Sequence, residues 1–245
     1  MRLVVSQFNY WCRLQAHDQA PIFATTQPLE TKAPVLDWVP AMQRRRLSDF
    51  AKMALHVAQQ AATNAHSEML PVVYATRHGD FHRTSKILKD LAAGDALSPT
   101  SFGLSVHNAV IGLYSILTNN QAKMSTISAG ANTVLMALVE AYSQLVANQL
   151  DEIMLVYCDQ ALPDDYKKYE KSPAIDLSFA CILRLEGEGQ SLTLSPQPVQ
   201  AVSVETDLQS AAICQLLAGE LPSNSLNVGA NQGATWQLTV SGHAQ

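Results

Sequence analysis

Charge is scarce in this sequence: Asp, Glu, Lys and Arg together make up 15% of its 245 residues, against 47% hydrophobic residues. That balance excludes an intrinsically disordered chain, which needs the opposite proportions. Positive charge is scarcer than negative, with 16 Lys and Arg against 21 Asp and Glu and a net charge of −5. This argues against a nucleic-acid binder, which carries a basic face. Cysteine occurs four times, at Cys12, Cys158, Cys181 and Cys214. The four are too scattered for a disulfide framework, and none forms the C-x-x-C pair of a zinc ribbon or a thioredoxin-type redox site. Unbroken apolar runs stay well short of the roughly 18 residues of a membrane span. The apolar start, Leu3-Val4-Val5, is too short and too soon interrupted to be a signal-peptide core, so the cytoplasm is the expected location. So little charge on a soluble chain also suggests that another molecule covers part of its surface.

The familiar chemical motifs are missing as well. There is no phosphate-binding loop and no Gly-x-Gly-x-x-Gly; Gly229 and Gly233 lie late and follow no strand that the pattern predicts. Gly103-Leu104-Ser105-Val106-His107 lacks the second glycine of a nucleophile elbow. His78 and His82 are four residues apart and could share a metal on a helix, but Gly79 weakens the helix and no third ligand lies near. They are read as loop histidines, and neither metal nor cofactor is expected. Cys158 closes an apolar run and could be a nucleophile activated by a histidine; a cysteine there is more simply a small buried hydrophobe. Arg44-Arg45-Arg46 is the only basic cluster. It is expected at the start of a helix, where cations oppose the dipole, either as a solvated, ion-paired end or as a docking point for an acidic partner.

What the sequence does contain is alternation of strands and helices. A short strand is predicted over 2–6 and irregular surface chain over 19–40. A helix over 46–64 carries Leu47, Phe50, Met53, Ala54, Val57, Ala58 and Ala61 on one stripe. Residues 71–75 read as a buried strand. Residues 84–93 read as a helix with Ile87, Leu88 and Leu91 inward, stopped by Gly94. A turn over 98–102 leads to a helix over 104–117 and a strand over 124–128. The small-residue turn Ala129-Gly130-Ala131-Asn132 then opens a long helix to residue 148 that buries Leu135, Leu138, Val139, Tyr142, Leu145 and Val146. A strand over 153–158, a charged loop over 163–168 and a strand over 177–185 follow. The remainder gives a strand at 191–194 or 199–204, a helix over 208–217 and a last strand over 236–240. Such alternation predicts the α/β class, a mixed sheet flanked by helices.

Within this pattern, residues 98–159 resemble the N-terminal half of the β-ketoacyl synthases, which have a thiolase-like fold. The resemblance is carried by Ser98-Pro99-x-x-Phe102, Ser105-x-x-Asn108, Gly112, Thr126-Ile127-Ser128-Ala129-Gly130-Ala131 and Asp151-Glu152-Ile153-Met154-Leu155-Val156. Upstream, Met42-x-Arg44-Arg45-x-x-x-x-Phe50-x-x-Met53-Ala54 is similar to the segment before that family's first long helix. The likeness covers most of residues 1–186, with 187–245 divergent, in what reads as a single domain over 1–245. The resemblance implies a nucleophilic cysteine in the turn at the helix N-terminus, where the dipole favours a thiolate. Here that position is held by Gly130 or Ala131, depending on whether the turn or the helix is aligned. The family's histidine pair is also missing: the one histidine after His107 is His243. At 245 residues the chain is much shorter than the whole family fold.

A chain with these losses is similar to the short chain-length-factor-like proteins of bacterial aryl polyene pathways. Arg77-His78-Gly79-Asp80-Phe81-x-Arg83-Thr84 and Ser98-Pro99-Thr100-x-Phe102-x-x-Ser105-Val106-His107-Asn108 carry that likeness. It implies a heterodimer with an active β-ketoacyl synthase, working on acyl carrier protein. The segment 123–128 would pair across the dimer axis. Phe102, Ser105, Asn108, Tyr114, Ser128, Ala129, Gly130, Ala131 and Asn132 would line the interface and the end of the acyl tunnel. Arg44, Arg45 and Arg46 would be the docking point for the carrier. Alternatives left open are an independent acyl-transferring or acyl-hydrolysing enzyme and a stand-alone acyl-binding module.

Overall fold

The computed structural model describes residues 1–14, 32–63, 65–66, 69–170, 175–198, 208–229 and 235–242. His243, Gly233, the alternative strand at 199–204 and most of the 19–40 stretch lie outside them. The first strand, β1 (Arg2–Leu14), is more than twice as long as predicted. Its apolar alternation changes phase midway: Leu3 and Val5, then Tyr10 and Cys12, all face one core, while Trp11 faces the other. The cause is a bulge, with the register slipping between Ser6 and Asn9 and Gln7 at φ 51°. One extra residue swaps the faces of everything after it.

Helix α1 (Ala41–Arg44) is a single turn, and α2 (Asp49–Ala62) begins three residues later than the predicted start. Ser48 sets that start by accepting the N–H of Ala51 at 3.2 Å. The arginine triplet therefore spans the C-terminal end of α1, where cations suit the dipole, and does not stand at the start of the long helix. Next come β2 (Val72–Ala75) and α3 (Phe81–Ala93), capped by the Asp80 carboxylate and ended by Gly94 at φ 78°. The predicted turn over 98–102 is a short helix, α4 (Pro99–Gly103), and the predicted helix over 104–117 is α5 (Ala109–Thr118), which starts five residues later. The order closes with β3 (Met124–Ile127), a 3-10 turn at Gly130–Asn132, α6 (Thr133–Ala147), β4 (Ile153–Asp159), a 3-10 turn at Asp164–Tyr169, β5 (Ile175–Arg184), β6 (Gln190–Gln197), α7 (Gln209–Ala218), β7 (Ser225–Gly229) and β8 (Thr235–Ser241). The sequence pattern did not predict β7, which ends at Gly229.

All eight strands form one sheet in the order β3-β2-β4-β5-β1-β6-β8-β7. Strand β2 is parallel to both β3 and β4, and the other pairings are antiparallel. Strands β2 and β4 are buried at every position, with Val73, Ala75, Ile153, Leu155 and Tyr157 in one core. Val72, Tyr74, Met154, Val156 and Cys158 enter the other. Helices α6 and α7 cover the first face, α2 and α5 the second. The sheet curls around α6 and α7, so that β7, at its far end, touches the turn that follows β3. Gln209 fastens this closure: its amide donates to the Gly229 carbonyl at 2.7 Å and accepts the Gly229 N–H at 3.2 Å.

Not every predicted inward residue is buried. Leu88 and Leu91 of α3 and Val146 of α6 are exposed, because nothing among the described residues packs over them. Tyr74 shows the opposite mismatch: it is fully buried, yet its hydroxyl finds no hydrogen-bond partner among the described residues. Removing that oxygen deletes a desolvation cost and no bond. Tyr74→Phe is expected to keep or raise the unfolding midpoint in urea, whereas Phe50→Ala, at a fully buried site, is expected to cost about 3–5 kcal/mol.

Candidate functional site at the open sheet edge

Strand β3 leads through Ser128 and Ala129 into the Gly130–Asn132 turn and then α6. Gly130 adopts φ 57°, which a residue without Cβ accepts freely. Thr133 is fully buried and organises the turn: its hydroxyl accepts the Ala129 N–H at 3.0 Å and donates to the Gly130 carbonyl at 2.6 Å. Fifteen residues of helix point their positive end here. Neither Gly130 nor Ala131 has a group that could take an acyl chain, and Asn132 caps nothing, its side-chain oxygen buried without a partner.

The four cysteines lie elsewhere, all buried and none in a disulfide. Cys158 donates to the Phe50 carbonyl at 3.5 Å, and burial, followed by the charge of Asp159, pushes its thiol well above the ordinary value. Burial pushes Cys181 up to about 12 and Cys214 upward as well. A thiol held neutral and sealed from solvent is a poor nucleophile, so Cys158 is core. Among the described residues no group of three or more His, Cys, Asp or Glu side chains could hold a metal. His82 lies within α3, not in a loop, with Nε2 2.9 Å from the Ala161 carbonyl oxygen.

Among the described residues, strand β3 has a neighbour on one side only, and its four residues are all partly exposed. Val72 and Thr76 donate to the carbonyls of Lys123 and Ile127, so in a parallel ladder the N–H groups of Met124 and Thr126 point outward from the sheet. Beside this edge, α5 and β3 enclose a groove of about 540 Å³ lined by His107, Asn108, Ile111, Met124, Thr126 and Ser128 among others. Of the predicted interface residues, Asn108 and Ser128 line it. Phe102 stands 61% exposed on α4, and Ser105 donates to its carbonyl at 2.8 Å. Leu88, Leu91, Leu97 and Val106 extend the exposed apolar surface around Phe102 in sequence. Tyr114 departs from expectation: it is 3% exposed, packed with Val110 and Ile111 in the core, and burial raises its hydroxyl to about 12. Its side chain therefore does not line an open surface. In the arginine triplet, Arg44 bonds the Leu36 carbonyl and Asp37, while Arg45 and Arg46 are exposed.

One residue of consequence escaped the sequence reading. Asp159 ends β4, buried, and its carboxylate accepts from the Thr76 hydroxyl at 3.1 Å, the Arg77 N–H at 2.7 Å and the His78 N–H at 3.0 Å. Burial pushes this carboxyl upward, and the two backbone donors oppose the shift. The legible signal was a carboxylate closing an otherwise apolar strand, Tyr157-Cys158-Asp159. Among the described residues no helix is long and apolar enough to cross a membrane.

Comparison with known proteins now fits this geometry. Among solved structures, the chain is similar to the ketosynthase ApeO in complex with its chain length factor ApeC from Xenorhabdus doucetiae: TM-score 0.73, 23% identity, 98% of this chain and 99% of that one covered. It is also similar to a type II polyketide acyl-carrier protein complex with its ketosynthase bound to the hexaketide: TM-score 0.60, 12% identity, 98% and 99% covered. The ishigamide ketosynthase/chain length factor follows at TM-score 0.54, 10% identity and 80% of each chain. These likenesses establish a thiolase-like ketosynthase fold. No curated protein matches the sequence. The family described as beta-ketoacyl synthase, N-terminal domain, matches residues 15–237, and to that family the chain belongs.

Proposed function

We propose that this chain is the non-catalytic, chain-length-factor-like subunit of a two-subunit β-ketoacyl-acyl carrier protein synthase, serving aryl polyene or related polyketide-type chain elongation. One observation carries the reading: the same strand, β3, ends in a turn without a nucleophile and offers an outer edge with no strand upon it among the described residues. The partner supplies the cysteine and the histidines. This chain supplies the second half of the dimer, adding its edge to the partner's sheet through the outward groups of Met124 and Thr126. Phe102, Ser105 and Asn108, with Ser128, form the wall against which a growing acyl chain stops. Ala129, Gly130, Ala131 and Asn132 keep the strand end small enough for close approach. Tyr114 supports that wall from the core. Arg45 and Arg46 offer positive charge to an acidic carrier protein, while Arg44 holds the turn at Asp37. Residues 1–245 act as one unit, in which α7 packs against α6. The similar assemblies, a ketosynthase with its chain length factor and a ketosynthase with a carrier protein, support the pairing.

The alternatives fare worse on physical grounds. An independent acyltransferase would need a reachable nucleophile, and Cys158 is sealed. A stand-alone acyl-binding module would need an enclosed apolar cavity. The cavity at the ends of β2 and β4 measures about 90 Å³, and the groove of about 540 Å³ beside β3 lies open along the sheet edge and is lined in part by the polar His107, Asn108, Thr126 and Ser128.

Three outcomes test the proposal. Co-expressed with the active β-ketoacyl synthases of its source organism, the tagged chain is expected to retain one of them in a 1:1 complex through size exclusion; a well-behaved monomer that ignores all of them contradicts it. Thr126→Pro removes one outward N–H and no ladder bond within the chain. It is expected to leave the unfolding midpoint nearly unchanged and to weaken the complex by at least about tenfold. Phe102→Ala is expected to shift the complex's products to longer chains in mass spectrometry, with partner affinity changed by less than about threefold.

A further inference from the structure

The loop between β2 and α3 has no regular structure of its own, yet it is fixed at every residue. Asp159 accepts from Thr76, Arg77 and His78. The Thr76 hydroxyl, while donating to Asp159, accepts the Gly79 N–H at 2.9 Å. Gly79 stands at φ 66° beside the ring of His107, where an added Cβ would make ordinary van der Waals contact, 3.5–3.6 Å from the imidazole atoms. The Arg77 carbonyl in turn accepts from Ser128 at 3.1 Å. Asp80, next in line, caps α3 by accepting the Arg83 N–H at 3.2 Å and binds the Arg83 guanidinium at 2.9 Å.

Two of the residues at the ends of these contacts, His107 and Ser128, line the groove beside β3. They lie on either side of it, one before α5 and one after β3. Ser128 bonds the loop and His107 lies beside it, and the buried Asp159 carboxylate accepts from three of the loop's residues. We propose that Asp159 is the positioning residue of the partner-facing groove: by holding residues 76–79 it fixes His107 and Ser128, and with them the width of the groove that receives the partner subunit. This rests on the partner reading above. Asp159 touches no partner itself; its effect is transmitted through five hydrogen bonds and the seating of Gly79 beside the His107 ring.

A carboxylate suits this task because it has acceptors only. Asn in the same place turns an N–H₂ toward Arg77 N–H or toward the Thr76 and His78 donors, whichever way it is rotated. Asp159→Asn therefore releases the loop while keeping the volume of the side chain.

The test compares Asp159→Asn with Leu192→Ala, a truncation in the core under β6, as full chains with the co-expressed ketosynthase that the unmodified chain binds. Backbone hydrogen exchange of the free chain is expected to rise in residues 76–80 and 104–108 for Asp159→Asn, with β4, β5 and α6 still protected. Partner affinity is expected to fall by about tenfold or more. Leu192→Ala is expected to lower the unfolding midpoint at least as far and to leave affinity within about threefold. Three results overturn the proposal: unchanged exchange at 76–80, affinity retained despite local opening, or loss of affinity in both variants in proportion to stability. If the unmodified chain binds no ketosynthase, the partner reading fails, and the exchange pattern then decides whether Asp159 holds the loop.

Discussion

Strand β4 is buried along its whole length and on both faces, and that constraint organises the molecule. A strand with Ile153, Leu155 and Tyr157 on one side and Met154, Val156 and Cys158 on the other must be covered twice. Helices α2 and α5 cover one face. On the other, α6 and α7 do so with the curl of β6, β8 and β7 around them, fastened by Gln209 at Gly229. Closure at that end brings β7 against the turn after β3. What remains uncovered is the opposite edge, where β3 hydrogen-bonds on one side only. An open edge strand invites pairing with another chain unless something blunts it. Here it is bordered by a groove and followed by small residues, with no charge inside the strand itself.

The same closure bears on chemistry. A helix N-terminus after a strand is where this family architecture can activate a thiol, and the dipole of α6 is still aimed at the turn. The residues at the turn have nothing to activate. The thiols the chain does possess are deep in the two cores, where burial keeps them protonated. The ketosynthase fold is thus present here with no thiol at this turn, beside the edge that β3 leaves open among the described residues.

Much of this was legible in the sequence. The apolar stripe of α2, the buried runs of β2 and β4, and Gly94 as the stop of α3 all follow local rules and stand where those rules put them. The failures have definite causes. The predicted end of β1 at residue 6 marks a real break in alternation, but the break is a bulge and the strand continues. Leu88 and Leu91 have the spacing of a core helix and lie exposed, because spacing does not say which molecule supplies the other side. Tyr114 looked like a tunnel residue by its position and is core by its packing. Asp159 was invisible as a hub, since its partners at Thr76, Arg77 and His78 come from a loop about eighty residues away. Only the folded sheet brings β2 and β4 together.

The central claim is that the chain shapes a reaction it does not perform. It is tested most directly by incubating the purified two-subunit complex with acylated carrier protein and measuring the intact mass of each subunit. The account expects the acyl adduct on the partner ketosynthase alone, with this chain at its unmodified mass. An acyl adduct on this chain, at Cys158 or at any other residue, would contradict it.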